Sequence, residues 1–154
     1  MAKLAVIKIR SDINARQDVK NTLRMLGLTR INHCVLVDDS DSVLGMLQKV
    51  KDYVTWGEIS SDVLKRLLAK RGRLVGDKKL TDEIVKDRLN FPSLAELAAA
   101  VENEEVKLEE IGVKKVFRLH PPSKGYKSIK RSVRDLGDLG YRGEKINDLL
   151  LRMI

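Results

Sequence analysis

Three carboxylates crowd into Asp38-Asp39-Ser40-Asp41, directly after the apolar run HCVLV at 33–37. If that run is a strand, the acids stand at its C-terminal end, where open α/β sheets place their ligands. Carboxylates there could hold Mg²⁺ for phosphoryl transfer. No glycine-rich phosphate loop accompanies them, and Pro122-Ser123-Lys124-Gly125 lacks the Walker spacing. The simpler reading is a strand-to-helix loop whose acids cap the helix and face its positive end. We prefer it, and keep a small Mg²⁺-dependent phosphotransferase built on Asp38, Asp39 and Asp41 as the alternative.

The remaining reactive side chains are few. His33 and His120 are the two histidines and Cys34 the one cysteine, and neither histidine has a second Cys or His at ligand spacing. A structural zinc site needs about four such ligands, so no metal and no cofactor is expected. Nucleophilic catalysis would need an elbow sequence that the chain lacks. His33 and Cys34 read as a strand start and a buried thiol. With no second cysteine there is no disulfide framework, and a reducing cytosol is the default.

A different chemistry is concentrated further on. Between Glu110 and Asp135 there is no acid, yet Lys114, Lys115, Arg118, Lys124, Lys127, Lys130, Arg131 and Arg134 all lie there. Like charges so placed repel one another, whereas opposite a phosphate backbone they release counterions and bind. Pro121 and Pro122 limit the entropy lost on docking, and Gly125 permits a tight turn. Tyr126 fits two roles equally, stacking on an unpaired base or anchoring the loop to a core. A membrane surface would call for an amphipathic helix with a basic face. The arm has prolines and few apolar residues instead, so no membrane partner is expected.

The elements that must position these groups follow from periodicity. The chain has 154 residues, 43% hydrophobic and 4% aromatic, with a net charge of +8, which suits one Leu/Val/Ile core and a polyanionic partner. No apolar run approaches the roughly 20 residues of a membrane span, and the start MAKLAVIKIRSD lacks a signal-peptide pattern. Lys3–Arg10, His33–Val37 and Tyr53–Ile59 read as strands. Val19, Leu23 and Leu26 mark one helix, stopped by Gly27. Val43, Leu44, Leu47 and Val50 mark a second, capped from Ser40, Asp41 or Ser42. A helical crossover between the first two strands predicts that they run parallel. Both helices then cover one face of a small sheet and leave the other available.

From Ser60 the pattern changes to short helices, begun at Ser60 or Ser61, Thr81 and Ser93. Val113–Leu119 is a strand, the basic stretch follows as a loop, and Ile146, Leu149, Leu150 and Met153 mark a final amphipathic helix. Residues 1–58 carry a net charge of +2, residues 59–111 of −1, and residues 112–154 of +7. The expected division follows these boundaries: core, helical segment, and basic strand-loop arm with the last helix. Gly45, inside the second helix, admits either an RNA backbone or close packing on the sheet. Lys65-Arg66 and Lys70-Arg71-x-Arg73 fit a solvated helix end as well as a phosphate contact.

Residues 7–54, IKIRSDINARQDVKNTLRMLGLTRINHCVLVDDSDSVLGMLQKVKDYV, resemble the family of large-subunit ribosomal protein thirty, whose eukaryotic counterpart is large-subunit protein seven. Ser11 and Ile13, Thr22-Leu23, Leu26-Gly27-Leu28 and Gly45-Met46 correspond to its short bacterial form. YVTWGEI at 53–59, LTDEIV at 80–85, FRLHPPSKGYK at 117–127 and YRGEKINDLL at 141–150 are similar to the longer archaeal form. The resemblance covers nearly the whole chain, in the family's order. It implies an α+β fold, with a ferredoxin-like β-α-β-α-β core and a mostly helical C-terminal extension. It also implies a non-catalytic, cytoplasmic, structural role on large-subunit ribosomal RNA, with neighbouring ribosomal proteins open as further partners and no small-molecule substrate. Family RNA contacts map to Arg10, Arg16, Lys20, Arg24, Arg30, His33, Lys49 and Lys51. Arg118, His120, Lys124, Lys127, Lys130 and Arg131 are the candidates in the arm. Asp12 departs from the bacterial pattern, where an apolar residue or proline is common, which leaves the setting of the Ser11 loop open.

Overall fold

The computed structural model describes residues 3–154 except 75, 89, 104, 106 and 109. Strand β1 (Lys3–Lys8), helix α1 (Gln17–Leu26), β2 (His33–Asp38), α2 (Asp41–Lys49) and β3 (Val54–Glu58) follow in that order. Helices α3 (Ser61–Arg71), α4 (Asp82–Arg88) and α5 (Leu94–Glu102) come next, then β4 (Val116–Arg118), β5 (Gly140–Tyr141) and α6 (Ile146–Met153). This is the α+β architecture expected, with the β-α-β-α-β core at its start. The five strands form one sheet in the order β4-β2-β1-β3-β5.

The strand sense differs from the crossover expectation. β1 and β2 pair antiparallel, with Lys3 opposite Asp38 and Ile7 opposite Cys34. The reason lies in the connection. Gly27 takes a left-handed conformation at φ 87° and stops α1. Leu28–Asn32 then carries the chain back to the end of the sheet from which β1 left, where the Asn32 N–H donates to the Lys8 carbonyl at 2.7 Å. The helix outward and the extended return cancel, so the crossover yields no parallel neighbour. β3 is also antiparallel to β1, and the parallel pairing is between β3 and β5.

α1 and α2 do cover one face of the sheet. Val19, Leu23, Leu26 and Leu47 pack there on Leu4, Val6, Val35, Val54 and Trp56. The opposite face, expected to stay available once both helices lay on one side, is covered. Ala5, Ile7, Ile9 and Cys34 point into a second, larger cluster made with Leu64, Leu67 and Leu68 of α3, Leu97 and Val101 of α5, and Ile146, Leu149 and Leu150 of α6. Within KLAVIK, residues 4–7 are apolar without interruption because both faces of the strand are buried. The short helices exist to cover that face. Serine caps set the starts of α2, α3 and α5: Ser40, Ser60 and Ser93 accept from the main-chain N–H of Val43, Val63 and Glu96.

Gly45 packs against nothing, since a Cβ there would meet open space. It lies on the outer side of α2, so sheet packing is not the reason for it.

Candidate nucleic-acid interface

The strand order and sense bring most of the candidate cations to one end of the sheet. β1 ends there at Lys8 and β2 begins there at His33. β3 begins there as well, with Val54 opposite Lys8, so the C-terminal end of α2, with Lys49 and Lys51, reaches the same place. β4 ends there, with Arg118 opposite His33. β5 starts there, with Gly140 opposite Thr55. The basic stretch therefore leaves one edge of the sheet and re-enters at the other, running past the end at which the core's own cations gather.

Lys8 is 1% exposed, unusual for a lysine. It is held by Asp12, whose Oδ1 accepts from its Nζ at 3.0 Å. Burial works to raise the Asp12 carboxyl, but the hydrogen bond and charge of Lys8 outweigh it and hold the carboxyl below its ordinary value. The departure at position 12 is thus the counter-charge that lets Lys8 sit under the loop. Around it stand Arg30, His33 and Arg118. Burial first, then the charges of Arg118, Arg30 and Lys8, keep the His33 imidazole below its ordinary value. His33 Nδ1 is buried and has no hydrogen-bond partner. An anion brought to this cluster relieves repulsion on four groups at once.

Other core candidates are looser. The Arg10 guanidinium lies over the Tyr53 ring, 5.6 Å from its centroid. Arg16, Lys20 and Arg24 recur every four residues and form one stripe along α1. Asp18 lies 3.6 Å from Arg16 and 3.8 Å from Lys49, partly neutralising that end of the stripe. Lys65, Arg66 and Lys70 are exposed on α3, while Arg73 donates to the carbonyls of Lys70 and Gly72.

The arm is tied to the fold at three places. The Ser123 N–H donates to the Arg152 carbonyl, and the Arg152 guanidinium donates back to the carbonyls of Ser123 and Gly125. The Tyr126 hydroxyl donates to Asn32 Oδ1 at 2.7 Å, and its ring packs on the larger core. Of the two roles open to Tyr126, it occupies that of anchor. Burial, then the Asp138 charge, push its phenol up.

The third tie is Asp138, 3% exposed. Its carboxylate accepts the Lys127 N–H, the Ser128 N–H at 3.1 Å and Arg142 Nη2 at 3.0 Å. Arg142 also donates to the Thr55 hydroxyl in β3 and to the Asp138 carbonyl. Nearby, a Cβ on Gly137 would stand 2.1 Å from the Arg131 carbonyl, so only glycine lets the arm's two limbs close. The acid-free window of the sequence therefore folds around an acid, hidden from solvent. Lys124, Lys127, Lys130, Arg131 and Arg134 remain exposed outside it.

His120 is turned inward. Its Nδ1 lies 2.6 Å from the Pro121 carbonyl oxygen and its Nε2 3.1 Å from that of Ile154. Cys34 is fully buried and its thiol is pushed up to about 12 by burial, which leaves it unreactive.

Reasoning from sequence missed Asp138, Arg142, Asn32 and the buried state of Lys8. Only the four-residue spacing of Lys8 and Asp12 offered a signal, and a strand end gives that spacing no fixed meaning. The acidic run sits at the opposite end of the sheet. Asp38 pairs with Lys3, Ser40 caps α2 as the simpler reading required, and Asp41 lies in the first turn of that helix. Among the described residues, no group of three or more His, Cys, Asp or Glu side chains is arranged to hold a metal ion, and no helix is long and apolar enough to cross a membrane.

Residues 4–54 match the family model described as ribosomal protein L30p/L7e. The chain is 49% identical over 150 residues to the large ribosomal subunit protein uL30 of Methanosphaera stadtmanae, covering 97% of this chain and 99% of that protein. To the uL30 protein of Methanobrevibacter smithii it is 51% identical over 149 residues, covering 97% and 98%. To that of Nanoarchaeum equitans it is 48% identical over 156 residues, covering the full length of both.

Proposed function

The chain belongs to the uL30 family of large ribosomal subunit proteins, and on that premise we propose that it grips large-subunit ribosomal RNA with the basic end of its sheet. Its place is in the large ribosomal subunit, in the cytoplasm, as a structural constituent with no catalytic role. The observation that carries the reading is the convergence of Lys8, Arg30, His33, Arg118, the end of α2 and the arm at one end of the fold. Two of the acids there are spent internally, Asp12 on Lys8 and Asp138 on the arm itself. The core-facing contacts are assigned to Arg10, Arg16, Lys20, Arg24, Arg30, His33, Lys49 and Lys51. Those of the arm are assigned to Arg118, Lys124, Lys127, Lys130 and Arg131, with His120 setting the turn that launches it. The division into core (1–58), helical segment (59–111) and arm with last helix (112–154) follows the charge. The middle segment, at net −1, suits protein neighbours better than phosphate.

Replacing Lys124, Lys127, Lys130 and Arg131 with Glu tests the arm. Binding to extracted large-subunit rRNA should weaken, and each lost phosphate contact should lower the log–log salt slope by roughly 0.7–0.9. Unchanged affinity and slope would sink this reading.

A further inference from the structure

Beside α2, on the helix-covered face of the sheet at its β5 edge, the arm encloses a groove of about 410 Å³. Its walls include Lys51 and Asp52 after α2, Trp56 in β3, Lys130 and Arg134 in the arm, and Tyr141 in β5. The volume falls within the roughly 300–1,000 Å³ usual for small-molecule sites. We propose that this groove holds one unpaired nucleotide of the RNA, its base stacked on Tyr141 and its phosphate held by Lys51, Lys130 and Arg134. The inference rests on the RNA-binding reading above and adds a base-recognising site to what was there a matter of phosphates.

Three observations carry it. Tyr141 is 54% exposed although its neighbour in the sheet, Trp56, is 3% exposed. A large ring is left open at a place where the fold has covered the ring beside it. The pose of that ring is also fixed: its hydroxyl donates to Glu58, and its centroid lies 6.3 Å from that of Trp56 at an interplanar angle of 44°. A ring already ordered loses little entropy on stacking. Finally, the charge around the groove is graded. Lys51, Lys130 and Arg134 outnumber Asp52 on the arm side, while Glu58, Asp39 and Glu144 face the Tyr141 hydroxyl from the other. A phosphate is drawn to the first side and repelled from the second, which sets one orientation for the nucleotide.

Trp56 is the single tryptophan of the chain, so its emission has one source, at the wall of this groove. The probes are a short single-stranded oligoribonucleotide, the same ribose-phosphate chain without bases, and extracted large-subunit rRNA. The base-bearing oligomer should change Trp56 emission and the abasic chain should bind more weakly. Tyr141→Ala should weaken oligomer binding about 5- to 150-fold, the range of one base stack. Tyr141→Phe, which keeps the ring but loses the bond to Glu58 that helps fix its pose, should weaken binding far less than Tyr141→Ala. Equal binding of both oligomers, indifferent to Tyr141→Ala, would overturn the nucleotide site and leave a phosphate groove. So would loss of a protein neighbour from Tyr141→Ala subunits with rRNA affinity intact. If rRNA binds with its full salt slope but neither oligomer reaches the groove, this inference falls and the RNA-binding reading stands. If the arm variant leaves rRNA affinity and slope unchanged, that reading falls instead.

Discussion

Asp138→Ala removes an acid from a basic protein, and simple electrostatics predicts tighter RNA binding in consequence. The structure predicts the reverse. The Asp138 carboxylate and Arg142 form a pair whose side chains are 4% and 8% exposed. Removing one partner of such a pair costs about 3–5 kcal/mol. Arg142 keeps two hydrogen bonds, to the Thr55 hydroxyl and to the main-chain carbonyl of residue 138, which puts this loss near the lower end, about 3 kcal/mol. The arm amides of Lys127 and Ser128 lose a charged acceptor, but both can turn to water, adding about 1 kcal/mol. A total near 4 kcal/mol lowers the melting temperature of a domain this size by roughly 8–16 °C. Asp138→Asn keeps an acceptor oxygen for the arm amides while turning its NH₂ toward Arg142, so about half that loss is expected. Urea unfolding measures the global part, and hydrogen exchange at Lys127 and Ser128 measures the release of the arm. RNA binding should weaken although no phosphate-facing residue is touched, and its salt slope should not fall. Tighter binding, or a stability change under about 0.5 kcal/mol with exchange unaltered, would refute the reasoning, for that is the range of an ordinary surface substitution.

Three other outcomes follow from single residues. Asp12 has a folded value below its ordinary 3.8, so the stability it contributes is complete above that pH and is lost as pH falls through the folded value. Asp12→Asn should therefore cost about 2–3 kcal/mol near neutrality, by leaving Lys8 unpaired, and the difference from wild type should shrink in acid, as read from urea midpoints against pH. His33 has a folded value below its ordinary 6.5, so it stabilises the free protein above that pH and does so less as pH falls. Phosphates of bound RNA offset the repulsion from Arg118 and Arg30, so binding should take up protons between about pH 7 and 5, and His33→Gln should remove that uptake in calorimetry in buffers of different ionisation heat. Leu136 is 79% exposed at φ 62°, a conformation costing a leucine roughly 1–2 kcal/mol. Leu136→Gly relieves it at a smaller entropic loss of about 0.5–1 kcal/mol, and the melting temperature should rise by a few degrees.

Local signals were legible where the physics is local. Val19, Leu23 and Leu26 at helical spacing with Gly27 behind them locate α1 and place its end at Leu26, because an apolar stripe and a left-handed stop are properties of neighbours in the chain. Ser93 marked a helix start for the same reason, and Ser40 and Ser60 are the caps taken from the candidates Ser40, Asp41 or Ser42 and Ser60 or Ser61. Strand sense was not local. Whether the chain returns after α1 depends on Leu28 finding a buried place, which no periodicity encodes. The error bore directly on the site. With β1 and β2 parallel, His33 would lie beside Lys3 and the core cations would be split between two ends. Antiparallel pairing puts His33 beside Lys8 and makes a cluster of what the sequence spreads over residues 8–118. Asp138 was illegible for a related reason: it lies just past the acid-free window, and only the closing of the arm brings its carboxylate under Lys127.

The arm carries its electrostatic strain before RNA arrives. Fixing a backbone residue costs roughly 1–2 kcal/mol in entropy, and a free basic loop would meet that cost for each residue it orders on docking. Here Arg152, the Tyr126–Asn32 bond and Asp138 order the stretch during folding. The buried acid of the arm, Asp138, is spent on main-chain N–H groups and Arg142 and is screened from the outside, so it organises the cations without neutralising them toward solvent. Both effects move unfavourable terms from the binding step into the folding step, where the larger core beneath α3, α5 and α6 can offset them. Counterion release on contact with phosphate is then opposed by little ordering. On this account the second layer of helices belongs to the RNA interface as much as the lysines do: it closes the sheet face and anchors the arm through α6, holding the charges outward against their own repulsion.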